Sequence, residues 1–134
     1  MAIITRTKVP TMKCSLILFQ GDEMPVRDGV KRSLVGVIDD GTKTVRFVIY
    51  EAERSEELAS YQLDKTEAQP QEGWYEQDPR EILHHIRTCA ENAVDQLTEL
   101  GYSKDDIITL GITNQRETTI AWDKFTGEPL HPAI

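Results

Sequence analysis

Hydrophobic and polar residues follow one another in distinct rhythms along this chain, and each rhythm predicts a different element. From Leu34, LVGVID forms a short apolar run, DGTKT (40–44) reads as a turn, and VRFVIYE (45–51) resumes with β-branched and aromatic residues. Two such runs joined by a glycine-containing connection predict an antiparallel hairpin. A third stretch, ELASYQLDKT (57–66), alternates and predicts a strand added to the same sheet. Residues 67–77, EAQPQEGWYEQ, carry Pro70 and Gly73 and predict a loop that Trp74 and Tyr75 anchor against a core.

The spacing then changes to three and four. Ile82, Leu83, Ile86, Cys89, Ala90, Ala93, Val94, Leu97 and Leu100 line one stripe of a predicted helix. Asp78 precedes it as a cap, Pro79 suits the first helical position, Glu81 completes a D-x-x-E form of the capping box, and Gly101 ends the helix. The nearly continuous apolar run IITLGIT (107–113) predicts a strand covered on both faces. TIAWD (119–123) predicts another strand, with Trp122 packed in it, and DKFTGEP a turn. The order strand, strand, strand, helix, strand, strand predicts an α/β fold. Its sheet is mixed: the early hairpin is antiparallel, and the crossover helix permits a parallel return. Residues 1–33 lack a comparable period and are expected to form a poorly ordered leader, leaving 34–134 as the folded part.

Composition narrows the function classes. At 134 residues the chain suits one domain, and 39% apolar with 28% charged residues is a globular balance without a run of about 20 apolar residues, the length of a membrane span. The net charge of −8 is uneven: residues 1–33 hold six Lys or Arg against three acids, the remainder nine against twenty. An acidic body repels nucleic acid, whose affinity comes largely from cations neutralising phosphates. Cys14 and Cys89 form no CxxC pair and have no adjoining His cluster, so neither a zinc site nor a disulfide framework is signalled; a reducing compartment, the cytoplasm, is expected, with Cys89 a buried inert thiol. The first twenty residues contain Arg6, Lys8 and Lys13 and no acid, a faint likeness to a mitochondrial transit peptide, against which an extension without an address is preferred. His84 and His85 lie about 100° apart on a helix and are read as surface residues, not a metal pair.

Two polar clusters carry candidate chemistry. Gly36 to Gly41 followed by Lys43 mimics a Walker A spacing but fails it, because Thr42 intervenes before the lysine and a strand follows. Another arrangement suits the same residues: Asp39 at a strand end offers a carboxylate to Mg²⁺, Gly41 lets backbone amides approach phosphate oxygens, Thr42 supplies a hydroxyl, and Arg46 a fixed cation. An ordinary Asp-Gly hairpin turn is the competing reading. The second cluster is Asn114, Gln115, Arg116, Glu117, Thr118 and Thr119, six polar residues between two apolar runs. A guanidinium that only donates beside a carboxylate that only accepts would suit neighbouring hydroxyls of a polyol; a solvated surface ion pair explains the pair equally well.

VIDDGT followed by Arg46, then GWYEQDPREI, then GITNQRETTIAWDKFTGEPLHPAI together resemble the N-terminal part of the glycerol kinases, within the FGGY carbohydrate kinases. The likeness covers residues 34–134, the first domain of such a kinase in part, and does not extend to 1–33. It implies a ribonuclease-H-like, actin/hexokinase-type mixed sheet, an incomplete domain, with ATP, Mg²⁺ and glycerol as ligands. It also implies glycerol binding by Arg116 and Glu117, nucleotide phosphate contacts at Thr42, Lys43, Thr44 and Arg46, and metal binding at Asp39. The family's catalytic base and its adenosine-holding domain are expected beyond Ile134, so the 134-residue chain is expected to be inactive alone. Where the family reads Asp-Gln-Gly-Thr this chain has Asp40, whose added carboxylate is expected to repel a triphosphate, with Lys43 as a partial offset. A second reading is a non-catalytic short isoform or pseudoenzyme that pairs with a full-length kinase or with its own copies. A kinase for another sugar is disfavoured by the block around Arg116.

Overall fold

The computed structural model describes residues 17–20, 26–27 and 30–134. Strands β1 (Ile17–Gln20), β4 (Leu34–Asp40), β5 (Thr44–Glu51), β6 (Glu56–Asp64) and β7 (Ile107–Asn114) form one sheet in the order β1-β7-β4-β5-β6, and β2 (Val26–Arg27) pairs with β3 (Val30–Lys31) in a separate ribbon. β4, β5 and β6 are antiparallel neighbours, whereas β7 runs parallel to β4. The expected mixed sheet with an antiparallel hairpin and a crossover helix is the one observed. Strands β1, β2 and β3 fall within the stretch expected as a leader, much of which lies outside the described residues; β1 pairs antiparallel with β7. Arg32, also of that stretch, donates to the Gly101 carbonyl at 3.1 Å and stacks 4.8 Å from the Tyr102 ring centroid. A cation therefore sits where helical carbonyls end.

Helix α1 (Pro79–Glu99) crosses from β6 towards β7 and packs on β5 and β6. Asp78 caps it, its side chain accepting the Arg80 N–H. Glu81 does not close the expected capping box: its carboxylate accepts the Thr66 hydroxyl at 2.7 Å and the Thr66 N–H at 3.2 Å, because the chain entering the 67–77 loop lies within its reach. A complete box forms instead at Ser103 and Asp106, on the 3-10 turn η1 (Lys104–Asp106). At the C-terminus Gly101 (φ 83°) donates to Thr98 O and Tyr102 to Leu97 O, the paired bonds of a Schellman ending, which needs a residue at ease in the left-handed region.

The core forms where α1 meets the sheet. Leu34, Val45, Phe47, Ile49 and Ala59 bury against Ile82, Cys89, Ala93 and Leu97. Leu83 and Leu100 were expected on the core stripe but are exposed, because they flank the band that touches the sheet. At Gly36 a Cβ would stand 2.6 Å from Leu110 Cδ2 and 2.8 Å from Phe47 Cζ, so any larger residue would force both side chains to shift.

Two expectations fail for one reason each. β7 is not covered on both faces: Leu110 remains 36% exposed, since a single described helix packs on the sheet and cannot cover both sides. TIAWD is not a strand. Thr119 exchanges two backbone bonds with Ile134, but Pro132 has no N–H to carry that register on to Ala121 O, which accepts from Leu130 instead; with Asp123 donating to Glu128 O, the pairing breaks into short bridges and never becomes a ladder. Trp122 is consequently 62% exposed, and Trp74 and Tyr75 are about half exposed, not core anchors.

Candidate functional site

The parallel pairing of β4 with β7 decides where the two polar clusters lie. Asp39 is in register with Thr113 and Asp40 with Asn114, and the Gln115 N–H continues the pairing by donating to the Asp40 carbonyl at 2.7 Å. Both clusters thus sit at the carboxyl ends of adjacent parallel strands. In open α/β sheets this is the edge where ligands bind, because the loops there diverge and leave a crevice.

The first cluster is built by the β4–β5 hairpin. Asp39 and Arg46 are direct cross-strand partners, with Arg46 Nη2 3.6 Å from Asp39 Oδ2, and both side chains are about two-fifths exposed. So open and loose a pair contributes little to stability, at most about 1 kcal/mol, and either group can turn to another partner cheaply. Thr42 and Lys43 are exposed at the hairpin tip. The Gly41 amide is not free to meet a phosphate: it donates to Thr44 O at 2.9 Å and closes the turn.

Asp40 has a different partner from the one expected. Its carboxylate accepts from Lys65 Nζ at 2.7 Å, and the Lys65 side chain is fully buried. Lys43 projects to solvent instead, because Lys65 follows β6 directly and its own N–H is fixed to Lys43 O at 2.8 Å. The additional carboxylate is thereby neutralised from beneath the loop. The sequence gives no local sign of this, since the two residues lie 25 positions apart.

The second cluster is a tight turn. Arg116 and Glu117 are both exposed and follow β7 at once; Glu117 has φ 64°, a left-handed conformation that costs a non-glycine residue roughly 1 kcal/mol or more.

Gln77, read from the sequence only as a loop residue, joins the clusters. It is buried (8% exposed), exchanges two backbone bonds with Ala133, donates its side-chain amide to Thr42 O at 2.7 Å, and accepts from Gln115 Nε2 at 3.0 Å. An open cleft of about 600 Å³ runs beside it, past Thr66, Glu81, Pro129 and His131. That cleft is not lined by Asp39 or Arg116.

Among the described residues no group of three or more His, Cys, Asp or Glu could hold a metal by itself, and no helix is long and apolar enough to cross a membrane. His84 is exposed and His85 half-buried, with its Nδ1 buried and unbonded. Cys89 is fully buried, its Sγ 3.4 Å from Val45 O; burial pushes its thiol pKa up, as an inert cysteine requires. Asp123 is held below the usual carboxylate range by the amides of Thr126 and Phe125, so it acts as a turn anchor.

Residues 34–134 match the FGGY family of carbohydrate kinases, N-terminal domain. A probable glycerol kinase of Caenorhabditis elegans is 42% identical over 101 residues, which span 75% of this chain and 20% of that protein. A glycerol kinase of Arabidopsis thaliana is 42% identical over 105 residues, 78% of this chain and 20% of its own length. The chain therefore spans about a fifth of the length of these relatives. Among solved structures, Plasmodium falciparum glycerol kinase with ADP superposes with a TM-score of 0.63 at 32% identity, covering 77% of this chain and 20% of that one. Gluconate kinase from Lactobacillus acidophilus reaches the same TM-score at 21% identity, covering 77% and 19%, and shares the fold.

Proposed function

The chain belongs to the FGGY family of carbohydrate kinases, and from that premise we propose that it is the N-terminal portion of an enzyme that transfers the terminal phosphoryl group of ATP to glycerol. The observation that carries this reading is the meeting of two unlike clusters at one sheet edge: β4 carries Asp39 beside Arg46 near its carboxyl end, and β7 leads into the turn of Arg116 and Glu117. The similarity to glycerol kinases, one of them solved with ADP, supports the choice of substrate and nucleotide.

In this reading Arg116 donates to, and Glu117 accepts from, neighbouring hydroxyls of glycerol, which fixes the alcohol by both of its hydrogen-bonding roles. Arg46 and the Thr42 hydroxyl, with Lys43 and Thr44 beside them, steady phosphate oxygens. Asp39 offers a hard oxygen donor, the type Mg²⁺ takes when one carboxylate and the nucleotide's own phosphates share its coordination. When bound, the ion would neutralise charge gathering on the phosphate oxygens. Phosphoryl transfer depends on positioning and on charge stabilisation around both reactants, and an open edge surrounds neither, so the isolated 134-residue chain has no turnover.

A chimera tests the reading. Residues 34–134 replace the matching segment of the Caenorhabditis elegans relative, and glycerol 3-phosphate is measured with ATP, Mg²⁺ and glycerol. A folded chimera that forms the product upholds the site; a folded chimera that binds neither glycerol nor ATP refutes it.

A further inference from the structure

We infer that Gln77 is a positioning residue that couples the β4–β5 hairpin tip to the turn after β7, so that a displacement at one cluster is felt at the other. Its value for catalysis rests on the reading of those clusters as one ligand crevice; the coupling itself stands on contacts alone. The Thr42 carbonyl can only accept, so Gln77 must face it with its NH₂ group, at 2.7 Å. This turns Gln77 Oε1 towards Gln115, which must in turn present its own NH₂, at 3.0 Å. The orientation of both amides is fixed in sequence by one carbonyl.

Nothing in this relay is slack. Gln77 is 8% exposed, and its backbone is clamped by two bonds to Ala133 at 3.0 and 2.8 Å. An amide that lost one partner here would leave a polar atom unsatisfied, which makes concerted movement cheaper than breakage. The residues at its two ends adjoin the groups that matter: Thr42 stands at the tip of the Asp39 hairpin and Gln115 next to Arg116. Distance between phosphate and alcohol is the quantity a phosphoryl transfer enzyme must control, and Gln77 spans the elements that would hold each.

The test uses the 134-residue chain, ¹⁵N-labelled and free of ligand, so its result is independent of the chimera's activity. Hydrogen bonding at the Thr42 carbonyl is reported by the Lys43 amide nitrogen across the same peptide. Gln115→Met removes the far side-chain amide and keeps the backbone bond from the Gln115 N–H to Asp40 O. In the native background it is expected to shift the Lys43 resonance; in a Gln77→Met background the same substitution should leave Lys43 unmoved. Gln77→Glu provides a second variant: its carboxylate can still accept from Gln115 but cannot donate to Thr42, so it should shift Lys43 by itself and abolish the further response to Gln115→Met. A purely structural Gln77 would not make the Lys43 response to Gln115→Met depend on its own side-chain amide. The inference is overturned if Gln115→Met shifts Lys43 equally with and without the Gln77 amide, or leaves it unmoved in the native background.

Discussion

The backbone N–H of Gln115 donates to the carbonyl of Asp40 at 2.7 Å, so the turn carrying Arg116 and Glu117 begins where the strand carrying Asp39 ends. Parallel strands make this possible. An antiparallel β7 would have delivered its polar turn to the opposite end of β4, and the two clusters would have had no common edge.

The left-handed backbone of Glu117 separates stability from binding. Glu117→Gly removes the steric cost of φ 64° and should leave thermal stability unchanged or raise it by up to about 1 kcal/mol. Glu117→Val, β-branched in the same conformation, should lower it by about 1–2 kcal/mol. Both lack the carboxylate and should lose glycerol binding in the chimera alike, so melting curves and titrations will diverge.

Lys65 and Asp40 make the energetic opposite of the open Asp39–Arg46 pair. Lys65→Met strands a largely buried carboxylate beneath the hairpin and should cost about 3 kcal/mol or more in denaturant unfolding. Asp40→Leu combined with Lys65→Met removes both charges and should recover much of that loss. A double variant as unstable as the single one would mean the pair is not what the charges are for.

In the chimera, Arg116→Ala should raise the Michaelis constant for glycerol at least about tenfold, the loss expected for a charged hydrogen bond of 1.5–3 kcal/mol, and leave that for ATP within about twofold. An equal effect on both substrates would remove Arg116 from the alcohol site.

Cys89 supplies a pH dependence of known sign. Burial raises the folded thiol's pKa, so above the unfolded thiol's ordinary value of about 8.5 the unfolded chain binds fewer protons than the folded one. Stability is therefore unaffected by this group at neutral pH and falls as pH rises through 8.5 or so, by at most about 1.4 kcal/mol per pH unit. Unfolding of Cys89→Ala between pH 7 and 10 should lack that increment of decline. A matching decline in both proteins would show that the thiol ionises freely in the folded state.

What the sequence made legible was whatever local spacing encodes. The hairpin, α1 with its Asp78 cap and Gly101 ending, and β7 all follow from periodicity and capping chemistry over windows of a few residues. Asp39 and Arg46 could be paired in thought because a hairpin makes them neighbours. Lys65 and Gln77 could not: their partners lie 25 and 35 or more positions away, and a lysine ending a strand or a glutamine in a loop has no distinguishing pattern. TIAWD misled because alternation alone cannot reveal that its partner segment places a proline, Pro132, where the ladder needs a donor.

The central claim, one crevice shared by both clusters, is most directly tested by a proximity measurement on the ligand-free chain. A nitroxide is attached at Thr42→Cys in a Cys14→Ser background, Cys89 being shielded by burial, and paramagnetic broadening is read along the backbone. The account predicts strong loss of the Gln115, Arg116 and Glu117 amide signals while the far end of α1, near Glu99, keeps its intensity. Full intensity at residues 115–117 would put the two clusters apart and contradict it.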